Sequence, residues 1–126
     1  MPEEQVASLP DTSSERELLR AVYVAFNRRD IESVLARMHA DVDWPNGMEG
    51  GRVPGKDAVR EYWTRQFKVL DPHVEPVAFT LEADGRIAVD VHQVVHDKSG
   101  KLLVDHMVQH VYEIRDNLIR NMEIRG

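Results

Sequence analysis

The sequence predicts an α+β fold in which three helices come first and a curved antiparallel sheet follows. Two observations carry this prediction. Apolar residues recur at helical spacing through most of the first 70 residues, and from His73 onward they alternate with polar residues at the period of a β-strand. Short turn sequences divide the second part into four segments, as in an antiparallel meander. With 126 residues, the chain is predicted to be one domain over residues 12–126, preceded by a flexible arm at residues 1–11.

Three helices are predicted, and each carries an apolar face. The first begins near Thr12, where Thr12 and Glu15 have capping-box spacing, and so do Ser14 and Glu17. Asp30 is expected to cap a second, shorter helix. The third helix follows from about Lys56 and stops at Asp71, because the next residue is a proline. These apolar faces predict that the helices pack on one face of the sheet.

The strands are predicted from alternation and from turn residues. Residues 41–44 form a short strand that ends at Pro45, and the loop after it holds four of the seven glycines. The remaining strands are predicted near residues 74–82, 86–96, 101–114 and 118–125. The turn signals between them are Asp84-Gly85, Asp97-Lys98-Ser99-Gly100 and Asp116-Asn117.

Composition excludes several classes of function. The chain has 22 acidic and 16 basic residues, a formal net charge of -6, which argues against nucleic acid or an anionic membrane as a partner. It has no cysteine, so disulfides, thiolate nucleophiles and cysteine-based metal sites are excluded. The sequence shows neither a secretory signal nor an apolar run long enough to span a membrane, and we predict a cytoplasmic protein.

Four of the six histidines fall in two neighbouring predicted strands. His92 and His96 are four residues apart, as are His106 and His110, so each pair points to one face of its strand. A three-residue turn with a glycine bulge between the strands sets His92 opposite His106, on the same face as Asp90. A four-residue turn would separate the two pairs. We predict the shared face from the chemistry of the turn residues.

The last hairpin adds a carboxylate to this cluster. A two-residue turn at Asp116-Asn117 sets His110 opposite Glu123, and Tyr112 opposite Asn121. A histidine beside a carboxylate on an inner face suits an acid–base or orienting role. Each histidine taken singly also fits a solvated sheet face or a dimer surface.

Three segments, FNRRDIESVLARMHADVDW, GKDAVREYW and HVYEIRDNLIRNMEI, occur in an order and spacing that resemble the nuclear transport factor 2-like superfamily. The resemblance runs from about Glu15 onward and is to the SnoaL-like and ketosteroid isomerase-like branch. It implies a cone of bent antiparallel sheet with a pocket inside, and a homodimer through the convex face. The apolar residues predicted on that convex face are Val89, Val91, Val95, Leu103, Met107 and Val111.

The resemblance also implies which positions line the pocket. The general base of ketosteroid isomerases falls on Trp44, and their two oxyanion donors fall on Val22 and His110. A supporting tyrosine of those enzymes falls on Trp63. Because the base is replaced by tryptophan, ketosteroid isomerase activity is not expected, but the pocket is.

Together these arguments predict a small-molecule pocket. The predicted catalytic groups are His110, Glu123, His92 and Asp90. The predicted substrate contacts are Trp44, Trp63, His106, Tyr112, Met122, Asn121 and Val22.

Three hypotheses follow for the use of this pocket. The first is a cofactor-independent lyase, isomerase or cyclase acting on a small apolar or aromatic substrate, with Glu123 orienting His110 as acid or base. The second is a non-catalytic binding module for a small ligand. The third is a metal site, since three histidines and a carboxylate on neighbouring strands suit zinc, iron or nickel. The superfamily is mostly metal-free, so neither a metal nor a cofactor is expected.

Overall fold

The computed structural model describes residues 11–47 and 49–126, and it confirms the predicted α+β class. The predicted arm at residues 1–11 falls, except for Asp11, outside the described residues. The helices found in the described part of the chain are α1 (Ser13–Asn27), α2 (Ile31–Leu35) and α3 (Lys56–Val69). The strands are β1 (Met38–Pro45), β2 (Arg52–Pro54), β3 (Leu70–Leu81), β4 (Ile87–Asp97), β5 (Leu102–Arg115) and β6 (Leu118–Arg125).

The strands form one sheet in the order β2-β1-β6-β5-β4-β3. The sheet is mixed rather than wholly antiparallel, because β1 runs parallel to β6. The short strand β2 pairs with β1 and lies in a segment that the sequence predicts as a loop. Strand β3 begins earlier than predicted and contains Pro72, which is tolerated because β3 is an edge strand.

Of the two predicted helix caps, the cap of α2 forms as predicted and the cap of α1 does not. The Asp30 carboxylate accepts a hydrogen bond from Ser33 N at 3.2 Å, so the predicted cap of α2 is confirmed. The capping box predicted at Thr12 is not formed, because the Thr12 side chain makes no capping bond. The residue before it, Asp11, accepts a hydrogen bond from Ser13 N at 2.9 Å instead.

The core lies between the helices and the concave face of the sheet, the face turned toward them. Helix α1 buries four residues and α3 buries three, as their amphipathic patterns predict. These residues are Leu18, Leu19, Val22, Tyr23, Val59, Tyr62 and Trp63. No helix in the described residues is long and apolar enough to cross a membrane.

The β4–β5 hairpin has the predicted turn but a different register beyond it. Asp97 N donates to Lys101 O at 2.9 Å, and the loop closes at a glycine with φ of +91°, as a three-residue turn requires. One strand pair later, Leu103 is an extra residue in β5, a β-bulge. His92 therefore lies opposite Met107 and not opposite His106. The prediction that both histidine pairs share one face is wrong, because this bulge shifts the pairing by one residue.

The β5–β6 hairpin repeats the same pattern. Asp116 and Asn117 both have positive φ, at 53° and 60°, as a two-residue hairpin turn requires. Going away from the turn, the pairing shifts between Ile114 and Glu113, because Arg120 is an extra residue in β6. Tyr112 then lies opposite Met122, and His110 opposite Ile124, so the predicted partners are wrong.

The two bulges decide which side chains face the helices. His106, His110 and Tyr112 lie on the concave face of the sheet. The side chains of the predicted site that lie instead on the opposite, convex face are Asp90, His92, Asn121 and Glu123.

The convex face is more polar than the sequence predicts. Val89, Val91 and Val95 were expected there, but the shifted register places them on the concave face, where each is buried. Met107 does lie on the convex face and is 52% exposed. Three of the six apolar residues predicted on the convex face are therefore absent from it. Dimerisation through this face stays a prediction.

Candidate functional site

A cavity of about 90 Å³ lies between the concave face of the sheet and helices α1 and α3. Its walls are mainly apolar and aromatic. The lining residues are Val22, Tyr23, Phe26, Val34, Trp44, Pro45, Gly47, Tyr62, Trp63, Gln66, Pro72, Val74, Gln93, His110, Tyr112, Met122 and Ile124. No carboxylate lines the cavity within residues 11–47 and 49–126.

Aromatic rings packed edge to face form one wall of the cavity. The Trp44 and Trp63 rings meet at 84° with centroids 5.4 Å apart, and Phe26 packs on Trp63 at 5.5 Å. Trp44 ends β1 just before Pro45, and Trp63 lies on the buried face of α3. Such contacts hold the rings in place, which gives the cavity a preformed flat surface.

Three side chains at the inner end of the cavity form a hydrogen-bonded relay. The Tyr112 hydroxyl donates to Tyr23 Oη at 2.8 Å, and Tyr23 Oη lies 2.9 Å from His110 Nδ1. Because Tyr23 already accepts from Tyr112, its own proton is free to go to Nδ1. The network thus assigns His110 the neutral tautomer with its proton on Nε2.

Burial keeps all three members of the relay uncharged at neutral pH. His110 is 7% exposed, and desolvation lowers its pKa to about 4, since burial penalises the imidazolium form. Desolvation likewise raises the pKa of Tyr112, and raises that of Tyr23 with a further contribution from Tyr112. The relay presents dipoles to the cavity, not charges.

His110 Nε2 has no hydrogen-bond partner among the described residues. Among the described residues, the fully enclosed side-chain nitrogen and oxygen atoms that lack a hydrogen-bond partner are Glu15 Oε2 and Arg16 Nε. His110 Nε2 is not one of them, so it is not fully enclosed by protein. The open space that His110 lines is the cavity. The relay thus leaves one N–H donor available to a molecule in the cavity.

A second set of polar groups lies toward the outside. Tyr62 Oη accepts from Gly47 N at 3.0 Å and from Gln66 Nε2 at 3.3 Å, which ties the loop after β1 to α3. On the sheet, His106 Nε2 lies 3.3 Å from Gln93 Oε1. His106 is exposed and does not line the cavity, whereas Gln93 does.

Six of the predicted site residues line the cavity: Val22, Trp44, Trp63, His110, Tyr112 and Met122. Four others are engaged in pairs on the convex face. His92 Nε2 lies 2.7 Å from Asp105, and Glu123 accepts from Arg86 at 3.1 Å.

The two remaining pairs involve amides. Asp90 accepts from Gln109 at 3.1 Å, and Asn121 accepts from Arg52 at 3.2 Å. The predicted pocket positions of all four convex-face residues are therefore wrong, and so is the pairing of His110 with a carboxylate.

Sequence reasoning missed Tyr23 and Gln93. Tyr23 follows Val22 on the apolar side of α1, and a tyrosine at such a position signals a buried hydroxyl that needs a partner. Gln93 was assigned to the other face by the one-residue shift in register. No group of three histidine or acidic side chains within the described residues is arranged to hold a metal ion.

Comparisons with known proteins agree with this architecture. A family model described as SnoaL-like domain matches residues 19–122. An NTF2-like protein of unknown function from Burkholderia pseudomallei K96243 is 28% identical over 90% of both chains, with a TM-score of 0.78. TerC, crystallised with polyporic acid, is 30% identical over 89% of this chain and 90% of its own, with a TM-score of 0.77.

A more distant structure shows the same fold. A cystatin fold protein from Novosphingobium aromaticivorans is 20% identical over 87% of this chain and 96% of its own, with a TM-score of 0.72. No curated protein sequence gives a significant match. The predicted nuclear transport factor 2-like fold is confirmed.

Proposed function

The chain belongs to the SnoaL-like domain family, and from this premise we propose that it binds a small, flat, largely apolar molecule that carries an oxygen acceptor. One observation carries the proposal: the neutral His110 keeps an unpaired Nε2–H at the inner end of an aromatic cavity. A hydrogen bond from this N–H to a ligand oxygen would contribute about 1 kcal/mol to binding.

The walls of the cavity support a ring compound. Trp44 and Trp63 offer rings whose relative positions are fixed by their own packing. A volume of about 90 Å³ is small beside the roughly 300–1,000 Å³ of pockets for drug-sized ligands, which favours one or two fused rings. TerC, with 30% identity to this chain, was crystallised with polyporic acid, which supports a small organic ligand in this family.

The test uses 1-indanone and indane, which differ by the carbonyl oxygen. The chain has two tryptophans, and both line the cavity, so intrinsic fluorescence reports binding directly. We expect 1-indanone to bind about tenfold more tightly than indane, from one added hydrogen bond. The His110→Phe variant should lose this preference, whereas His92→Ala, on the convex face, should keep it. Equal affinities in the wild-type protein would contradict the proposal.

A second function, catalysis of an isomerisation or cyclisation, is favoured by the relay itself. A preorganised neutral imidazole donor can stabilise the oxyanion of an enolate as it forms. The relay fixes the tautomer that such a role needs, with Tyr23 holding Nδ1. With a pKa of about 4, His110 is a weak base, so its role would be to donate a hydrogen bond and not to abstract a proton.

Hydrogen–deuterium exchange at the α-carbon of 1-indanone separates the two functions. If the relay stabilises an enolate, a base from the buffer removes the α-proton and D₂O returns a deuteron, because no carboxylate lines the cavity within the described residues. NMR should then show exchange faster with the protein than in buffer, and His110→Phe should lose that acceleration. Exchange at the buffer rate, with 1-indanone bound, would contradict catalysis and leave binding as the function.

A further inference from the structure

Gln93, which lines the cavity, and the exposed His106 form a polar pair on the concave face of the sheet. His106 Nε2 lies 3.3 Å from Gln93 Oε1, and because Oε1 can only accept, the imidazole must donate. The carboxamide is thereby oriented, and its N–H₂ group makes no hydrogen bond with any described residue. Gln93 lines the cavity and is half-buried, so this donor borders the space that a ligand would occupy.

On the sheet side, the cavity is bordered by the end of strand β6, where Ile124 is one of the lining residues. Strand β6 pairs with β5 only from Gln109 onward, and its last residue is Arg125. Within the described residues, the earlier part of β5, which carries His106, therefore has a strand neighbour on one side only. Ile124, on the rim of the cavity, is 46% exposed. Ile124 and Gln93 both line the cavity without being buried, so a ligand longer than the enclosed volume would extend past them.

The register fixes the spacing between the inner and outer donors. His110 lies opposite Val89, and His106 lies opposite Gln93, so the two rows are four residues apart on each strand. At the rise of a β-strand the rows are roughly 13 Å apart. The row between them on the same face is Val91 and Val108, which are buried and apolar. The floor of the sheet thus places two donors at a set distance with no polar group between them.

We propose that the Gln93 carboxamide, held by His106, is a second recognition point that selects ligands with an oxygen acceptor at both ends. This inference rests on the proposed function, since His110 binds the inner oxygen. The substrate class is an elongated compound of two linked rings or similar length, with a carbonyl, phenolic or carboxylate oxygen at each end. His106 acts as a positioning residue, because it touches Gln93 and not the ligand.

The test compares 4,4′-diacetylbiphenyl with 4-acetylbiphenyl. The two probes share the rings and one carbonyl, and both are neutral, so the protein's net charge does not bias the comparison. Two equivalent orientations give the symmetrical probe a statistical advantage of about twofold. One further hydrogen bond should add about tenfold. We expect the dissociation constants of the wild-type protein, read by tryptophan fluorescence, to differ by that product.

The ratio of the two constants is taken within each variant, so a general change in the cavity cancels. Gln93→Leu should reduce the ratio to the statistical value, and His106→Ala should reduce it in part. His92→Ala, a change on the convex face of the same strand, should keep the wild-type ratio. A ratio near the statistical value in the wild-type protein, or an unchanged ratio in Gln93→Leu, would overturn the inference.

The outcome also separates this inference from the proposed function. If 4-acetylbiphenyl binds and the second acetyl group adds nothing, the outer recognition point is refuted and the inner site stands. If neither biphenyl nor 1-indanone binds, the inner site fails and the inference falls with it.

Discussion

The two faces of the sheet use histidine in opposite ways. His110, on the concave face, is buried, bonds to a tyrosine hydroxyl, and has its pKa lowered to about 4 by desolvation. His92, on the convex face of the neighbouring strand, is half-exposed and lies 2.7 Å from the Asp105 carboxylate. The concave histidine is held neutral as a hydrogen-bond donor, whereas the convex one forms a surface pair with an acid. Burial and partners, rather than residue type, decide what each histidine can do.

The rest of the two faces follows the same division. The concave face carries the aromatic cavity and no acidic group within the described residues that line it. The convex face carries ion pairs that cross several strands, such as Arg125 with Glu82 at 2.8 and 2.9 Å. This comparison predicts that changes on the concave face alter both stability and binding, whereas changes to the solvent-exposed polar side chains of the convex face alter neither strongly.

The largest effect is expected at the aromatic wall. Trp63 is 2% exposed and contacts Phe26 and Trp44, so Trp63→Ala leaves a large cavity. It should lower the free energy of unfolding by about 3–5 kcal/mol, as measured by urea denaturation. His92→Ala should change it by less than about 0.5 kcal/mol. Comparable losses in the two variants would remove the distinction between the faces.

The next effect is a dependence of stability on pH. The pKa of His110 is lowered from an ordinary 6.5 to about 4, so the unfolded chain binds a proton more readily than the folded one. The contribution of this pKa difference to the free energy of unfolding is fully present above pH 6.5 and is lost as the pH falls to about 4. It amounts to roughly 3 kcal/mol. We expect His110→Gln, which retains an acceptor for Tyr23, to lose less stability than the wild-type protein over this range.

Denaturation at several pH values checks this expectation. The difference between the two proteins isolates His110, because their carboxylates are the same. Parallel curves for the wild type and His110→Gln would show that His110 is not held neutral by burial.

The order of the relay can be tested by removing one hydroxyl at a time. Tyr23→Phe leaves both His110 Nδ1 and the Tyr112 hydroxyl without a partner, whereas Tyr112→Phe removes only the hydroxyl that donates to Tyr23. We expect the first change to cost about 2 kcal/mol and the second about 1 kcal/mol, as measured by urea denaturation. The reverse order would show that Tyr23 is not the central member.

The smallest effect is expected for the ion pairs of the convex face. Arg125 lowers the pKa of Glu82, but the pair is only partly buried, with side chains 41% and 23% exposed, so solvent screens it and its contribution is small. Glu82→Gln should lower the melting temperature slightly at low ionic strength, and the difference should vanish in high salt. A large change that persists in salt would mean that the convex face is structurally essential.

The sequence predicted the turns of the sheet better than its faces. The residues at 97–100 and at 116–117 form the turns that their chemistry indicates. The bulges one or two pairs away fall at Leu103 and Arg120, neither of which is a glycine or otherwise marked as a bulge residue. A shift of one residue moves every side chain of the partner strand to the opposite face.

The same effect explains which site residues were predicted. Trp44, Trp63 and Val22 lie on or beside helices or at a strand end, where the pairing of the hairpins has no influence. His92 and Glu123 depended on the register across a bulge, and both lie on the convex face. The location of the cavity could therefore be predicted from the sequence, but the acid–base pair that was assigned to it is not there.

The most direct test of the central claim is the imidazole NMR spectrum of His110 at neutral pH, recorded through long-range proton–nitrogen correlations. The account predicts a neutral ring with its proton on Nε2 and an unprotonated Nδ1 bonded to Tyr23. Addition of 1-indanone should shift the Nε2 resonance more than that of Nδ1. A charged ring, a proton on Nδ1, or an Nε2 signal indifferent to bound 1-indanone would contradict the claim that His110 offers the cavity a hydrogen-bond donor.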